Sequence, residues 1–335
     1  MHQHALRYAA IPKATPSQIK KSELPEPSVE DLARTQTRLD KHHISAIVDE
    51  QPWYHHTFSM MPSRPYIVYY QWDISLLNRM IMGIVWPRDM TSYGQKVLEE
   101  VFTHLPHYDV VTVSWLADGV DTTVHQLSIE KNIPNIAVLG WWFHHFFNSP
   151  RRQLIEQIVA AGGLVLTEFK PQQEPTHYTF PQRNRIIAGL SQVLFIPEAR
   201  KNSWSLITVD FALQMHKPVY GAPSSIFSPQ SQGIHDYMQR GSIRPIADIP
   251  ERLDSIMPRM TQSSMQITQK RDLTPEQKII LQTIIDHAGL NTIDLVSKSG
   301  LELWTIIQHM TQLEMYGLIL EDSPGIYIST QSIAN

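Results

Sequence analysis

From about residue 65 the chain alternates short apolar runs with longer amphipathic ones. The runs 66–70, 81–85, 110–114, 135–139, 163–167, 193–197 and 218–222 are rich in β-branched residues. Uninterrupted apolar strands suit a sheet that is covered on both faces. Between them, helices are predicted over 92–103, 121–130, 150–161, the stretch after Pro181, and 205–215. Strands alternating with helices predict a parallel, doubly wound α/β sheet. Such sheets bind ligands beyond the carboxyl ends of their strands. The informative residues should therefore follow the strands.

The flanks read differently. Residues 1 to about 28 are polar and carry Pro12, Pro16, Pro25 and Pro27, which predicts a mobile tail. Ser28 predicts an N-cap, with Asp31 at the capping-box position, for a short helix to about Lys41. Residues 251–271 break the alternation with Pro258 and a polar run, as a linker would. Beyond them Thr274, Pro275 and Gln277 form a helix start. Helices over 292–299 and 302–313 follow, then a hairpin over 315–321 and 325–330. Three helices and a hairpin predict a winged helix. The expected organisation is thus a tail and short helix over 1–60, a Rossmann-like domain over 61–250, a linker over 251–271 and a winged helix over 272–332.

Composition narrows the class. With 335 residues, 42% of them hydrophobic and 18% charged, the chain is an ordinary globular protein of two or three units. No apolar run reaches the roughly 20 residues of a membrane span. Residues 1–20 hold no apolar signal core. A soluble cytoplasmic protein without a membrane partner is expected. The absence of cysteine excludes disulfides and thiolate metal sites. A net charge of −4 means that any nucleic-acid site must be a local cationic patch. The pairs His42-His43, His55-His56 and His144-His145 lack the spacing of metal ligands, and neither a metal nor a cofactor is expected.

The most informative segment is Phe180-Pro181-Gln182-Arg183-Asn184-Arg185-Ile186-Ile187-Ala188-Gly189-Leu190-Ser191. Two arginines flank an asparagine at a helix start, ahead of an apolar half-turn. Backbone N–H groups at a helix N-terminus and guanidinium forks both favour phosphate. The spacing alone fits equally a structural helix with two surface arginines.

This segment resembles the FPxRNRIIAGLS signature of the DprA/Smf family. Further landmarks follow in family order over roughly residues 62–250. Arg88 with Tyr93-Gly94 resembles GSRxxTxYG. The series Ser114, Ala117, Gly119, Asp121, His125 resembles SGxAxGIDxxAH. Residues Ala137 to Gly140 resemble the AVLGxG turn, and Thr167-Glu168-Phe169 loosely matches SEfP. Glu198-Ala199 with Ser203 and Ser205 to Thr208 resembles EAxxxSGSLIT. The resemblance implies an extended Rossmann fold that binds single-stranded DNA at the strand ends, forms a homodimer and loads a RecA-type recombinase in natural transformation, without being an enzyme. It makes Arg88, Arg183 and Arg185 phosphate contacts and Asn184 a hydrogen-bonding partner of the strand. Ser114, Gly119 and Ser203 would line the pocket. Asp121, His125, Glu168 and Glu198 would be supporting residues, since a carboxylate repels phosphate unless it orients an arginine.

The chain departs from the family pattern in one consistent way. Trp72, Trp86, Trp115, Trp142 and Trp204 stand where the family has glycine, and these are five of only eight tryptophans. Independent drift would not keep choosing one bulky residue. We expect these codons to be UGA, read as glycine in the source organism; UGG at these positions would end the idea. Pro87, Asp118, Pro134 and Ser224 also depart, and Asp118 and Pro134 remove positive charge expected near DNA.

Two other functions fit the sequence less well. A phosphoribohydrolase-like nucleotide enzyme would need a PGGxGTxxE signature, which is absent; Glu168 and Glu198 would be its only plausible bases. A duplex-reading regulator would use residues 302–313, which contain no Arg or Lys, although major-groove readout leans on them.

Overall fold

The structure is a computed structural model that describes residues 3–11, 27–49, 54–87, 91–116, 121–143, 151–171, 179–259, 274–287, 290–315, 318–323 and 326–329. The chain divides into two compact units, Met1–Arg259 and Met260–Asn335. Among the described residues no helix is long and apolar enough to cross a membrane.

The first unit is built on nine strands: β1 (Ile44–Val48), β2 (Ile67–Trp72), β3 (Met80–Ile84), β4 (Val110–Trp115), β5 (Asn135–Val138), β6 (Leu164–Thr167), β7 (Val193–Ile196), β8 (Val219–Gly221) and β9 (Arg244–Pro245). Their order across the sheet is β1-β2-β6-β5-β4-β3-β7-β8-β9. Strands β3 to β9 run parallel. The chain begins this part at β3, winds outward through β4, β5 and β6, and returns to lay β7 on the other side of β3. The topological switch point therefore lies at β3, with β4 and β7 beside it. All seven expected strands form, and the sheet is doubly wound and mostly parallel. One correction concerns 66–70, expected as parallel. It forms β2, which runs antiparallel to β6 and to β1. A strand buried on both faces reads as a continuous apolar run in either direction, so the pattern carries no polarity.

The helices of this unit are α1 (Gln3–Ala10), α2 (Val29–Lys41), α3 (Ser92–His104), α4 (Asp121–Glu130), α5 (Arg152–Ala160), α6 (Thr179–Leu190), α7 (Trp204–Gln214), α8 (Gln232–Gln239) and α9 (Ile249–Ile256). Their apolar stripes bury the sheet on both faces. Leu98, Val101 and Phe102 of α3 belong to a cluster with Ile84 and Val110. Ile186, Ile187 and Leu190 of α6 join Ile81, Val111 and Leu194. Helix α6 lies hard on β3: a Cβ on Gly83 would stand 2.1 Å from Ser191 Oγ. The glycine is required here by close approach.

The expected tail is corrected for residues 3–10, which form α1 with Ala5, Tyr8 and Ala9 buried. The Tyr69 hydroxyl donates to Ala5 O at 3.0 Å and anchors this helix. Ser28 caps α2 as expected, accepting from Asp31 N at 3.0 Å. The expected linker is corrected at its start. Residues up to 256 belong to α9, Leu253 and Met257 are buried, and Asp109 N donates to Pro258 O at 3.0 Å.

The second unit holds α10 (Pro275–Asp286), α11 (Thr292–Ser299) and α12 (Leu303–Met315), with β10 (Leu290–Asn291), β11 (Ile319–Ser323) and β12 (Ile326–Ser329) in the order β10-β12-β11. Ile280, Ile284, Leu295, Ile306 and Leu313 form its own core. The Thr274–Gln277 capping box is complete, at 3.2 and 3.0 Å. The hairpin begins later than expected because α12 runs on through Met315. This is the winged-helix arrangement.

Candidate nucleic-acid interface at the carboxyl end of the sheet

The loops after β3 and β7 flank the switch point, and Glu198 joins them. Its buried carboxylate accepts from Thr91 N at 3.0 Å and Thr91 Oγ1 at 2.7 Å. Thr91 in turn caps α3 through Gly94 N at 3.2 Å. Glu198 thus fixes where α3 starts. Ser203 caps α7, with its Oγ 2.7 Å from Ser205 Oγ and accepting from Ser205 N at 3.4 Å. Ser114, expected to line a pocket, is buried at the end of β4 and donates to Ile84 O at 2.7 Å. It ties β4 to β3. Arg88 and Gly119 lie outside the described residues, as does the side chain of Asp121, the first residue of α4.

His125 is fully buried. Its Nε2 lies 3.0 Å from Trp115 O and its Nδ1 3.0 Å from the Asn135 side-chain amide. Burial holds its pKa below the ordinary value, which disfavours the charged ring. With Nε2–H donating to Trp115 O, the neutral ring satisfies both contacts only when the Asn135 amide is turned so that its nitrogen, in place of Oδ1, faces Nδ1 and donates to it. His125 therefore pins α4 to the ends of β4 and β5.

The arginine signature starts α6, where Pro181 sits in the first turn and needs no hydrogen-bond partner. Both arginines turn inward. Arg183 is buried: Nε donates to Asn184 Oδ1 at 3.0 Å, Nη1 donates to Val138 O at 3.2 Å, and the guanidinium lies 5.2 Å from the Trp115 ring centroid. It seals the ends of β4 and β5. Asn184 is buried as well, with Nδ2 donating to Trp204 O at 3.5 Å. Arg185 forms a bidentate pair with Glu168, both contacts 2.6 Å. It also donates to Ser63 O at 2.9 Å and Gln182 O at 2.7 Å. The side chains of this pair are 11% and 15% exposed. Neither arginine projects as the sequence reading expects: the described conformation commits both guanidiniums to protein acceptors, and a role on phosphate requires an exchange of partner. A fork with five donors is satisfied by one carboxylate and nearby carbonyls, and helix spacing does not reveal which way the fork turns.

The tryptophans explain part of this. Trp86, Trp115 and Trp142 are buried, so the space expected to be a small-residue pocket is filled. Trp142 packs edge-on against Tyr69 at 5.0 Å and Phe143 at 5.3 Å. Trp115 lies against Arg183, and among the described residues its buried Nε1 has no hydrogen-bond partner. Trp72 has φ of +81°, in the left-handed region that favours glycine. Trp204 is exposed at the start of α7.

Sequence reasoning missed three residues here. Asn135 carries no motif signal of its own, and Thr91, although it falls on the threonine of the GSRxxTxYG element, was not singled out. Lys170, just past β6, is buried and donates from Nζ to Ile11 O at 2.9 Å, and Nζ lies 4.5 Å from the Tyr8 ring centroid. Burial lowers its pKa to about 8. Burial, with Glu168 nearby, raises that of Tyr8 to about 12. This contact was invisible because residues 3–10 read as tail.

A doubly wound sheet whose polar residues gather at the carboxyl ends beside a switch point defines a Rossmann-like α/β protein. The family model of DNA recombination-mediator protein A matches residues 45–257, and the chain belongs to this family. It is 32% identical over 198 residues to the DNA processing protein DprA of Streptococcus pneumoniae, covering 59% of this chain and 68% of the relative. It is 26% identical over 271 residues to protein Smf of Escherichia coli, covering 79% of this chain and 71% of that one. Two solved structures share the fold. DNA processing protein A from Streptococcus pneumoniae aligns with a TM-score of 0.60 at 24% identity, over 77% of this chain and 94% of that one. DNA processing protein A from Helicobacter pylori, whose structure describes a single-stranded DNA binding mode, aligns with a TM-score of 0.56 at 23% identity, over 63% and 94%.

Proposed function

We propose that this protein binds single-stranded DNA at the carboxyl end of its sheet and passes it to a RecA-type recombinase during DNA uptake, acting in the cytoplasm as a homodimer. The observation that carries this reading is the Arg-Asn-Arg run in the second turn of α6, beside the switch point, in a member of a DNA recombination-mediator family. The binding described for the Helicobacter pylori relative supports it. Arg185 is the phosphate contact, reached when a phosphate replaces Glu168 as its bidentate partner. Arg183 and Asn184 position the strand ends from beneath. Arg88 and Gly119 complete the site, and Ser203 contributes through the N-terminus of α7, where backbone N–H groups favour anions.

Nothing favours catalysis by the two carboxylates considered. Glu198 is held by Thr91 and Glu168 by Arg185. The winged helix over 272–332 is assigned a protein-contact role, because α12 contains no Arg or Lys.

A labelled oligonucleotide titrated across salt concentrations tests the reading. Binding should be measurable at low salt and weaken steadily as salt rises, since phosphate neutralisation releases counterions. Absence of binding at low salt overturns it.

A further inference from the structure

At the carboxyl end of the sheet lies an exposed apolar ledge that the phosphate contacts do not use. Phe227 is 85% exposed, Ile226 75% and Tyr93 40%. Burying large apolar groups is favourable, so adjacent exposed ones imply an occupant. All three sit at the carboxyl end of the sheet. Tyr93 is the second residue of α3, after β3. Ile226 and Phe227 lie in the segment between β8 and α8.

This segment is held in shape. The Tyr93 hydroxyl donates to Pro223 O. Phe227 N donates to Ser225 Oγ at 3.3 Å, and Ser228 N to Ser225 O at 2.9 Å. Ser224 Oγ lies 3.2 Å from His235 Nε2. Gly233 N donates to Ala199 O at 2.9 Å, joining the segment to the loop after β7. That approach leaves no room for a side chain, since a Cβ on Gly233 would stand 2.5 Å from Arg200 O. Little ordering entropy remains to be lost on binding.

The charge beside the ledge selects the occupant. Arg200 and Lys201 are exposed on the loop after β7, where Arg200 donates to Gln230 and Lys201 pairs with Asp236 at 3.2 Å. Glu198, on the same loop, is buried. Helices α3 and α7 also begin here, with their N–H groups at this end of the sheet. Apolar and aromatic surface next to cationic groups suits a strand of unpaired nucleotides, with bases on the rings and phosphates on the cations.

We infer that Tyr93, Ile226 and Phe227 form a platform on which unpaired bases stack. The inference rests on the single-stranded DNA reading and extends it from phosphate to base. Trp204, 57% exposed at the start of α7, adds another ring in the chain as written, but the platform does not depend on it.

The test compares the full chain with Phe227→Ala and Phe227→Tyr on a labelled oligothymidylate and on an abasic oligonucleotide of equal length. Stacking predicts that Phe227→Ala weakens oligothymidylate binding roughly five- to hundredfold with the salt slope unchanged. Phe227→Tyr should stay within about twofold of the parent, because both rings present a π-face. On the abasic strand the parent and Phe227→Ala should bind alike. If the parent binds oligothymidylate and Phe227→Ala binds equally well, the platform is overturned while the phosphate site stands. The same conclusion follows if Phe227→Ala leaves DNA binding intact but abolishes self-association in sedimentation, which would make the ledge a protein interface. If the parent binds no oligonucleotide, both readings fall together.

Discussion

Replacing Glu168 with glutamine is expected to tighten single-stranded DNA binding about tenfold, or about 1.4 kcal/mol. In the described conformation Glu168 holds the Arg185 guanidinium through two 2.6 Å contacts in a largely buried setting. A phosphate must displace that carboxylate and then sit beside its charge. Glutamine keeps one acceptor oxygen for Arg185, removes the competing fork, and removes the repulsion. The change should also cost about 1–2 kcal/mol of stability, since a charge-assisted pair becomes an ordinary hydrogen bond. Fluorescence titration gives the affinity and urea unfolding gives the stability. A drop in affinity for Glu168→Gln, matched by a drop for Arg185→Ala, would show instead that Glu168 orients the arginine toward DNA, and the exchange of partners at Arg185 would be wrong.

Arg183→Ala should act in the opposite sphere, on folding. Arg183 is 3% exposed and reaches Val138 O, Asn184 Oδ1 and the Trp115 face. Truncation leaves two buried acceptors short of a donor and opens a void where a long side chain lay. The expected loss is about 3 kcal/mol, which lowers Tm by roughly 6–12 °C for a unit of this size. Thermal unfolding followed by circular dichroism measures it. Arg183→Lys should recover only part of the loss, because an ammonium cannot span both acceptors as the planar fork does. A Tm within about 2 °C of the parent for Arg183→Ala would return Arg183 to the surface role that its motif first implied.

The contrast between these two arginines shows what a sequence can carry. The seven central strands were legible because each is a short β-branched run flanked by an amphipathic helix. The antiparallel direction of β2 was not, since burial on both faces erases any mark of polarity. The signature helix was placed correctly at a strand end. The inward turn of Arg183 depends on Val138 and Trp115, which come from two other strand ends. The partner of Arg185 lies 17 residues away along the chain, a distance at which no local spacing rule operates. Helix α1 was unreadable for a similar reason: eight residues with a modest apolar stripe are held by Tyr69 and Lys170, both far along the chain. The tryptophans were legible as departures, and Trp72 is where backbone geometry agrees with the glycine reading.

The margins of the nine-stranded sheet have a bearing on how copies of this chain can meet. At one margin β9 is two residues long and ends in Pro245, which has no N–H to offer a further strand. At the other, β1 is five residues long, with α1 and α2 packed nearby. Neither border offers a long ladder of open backbone groups. Growth by strand addition, the usual route to fibrils, is thereby discouraged, and partnerships between copies fall to side-chain surfaces that can be separated again.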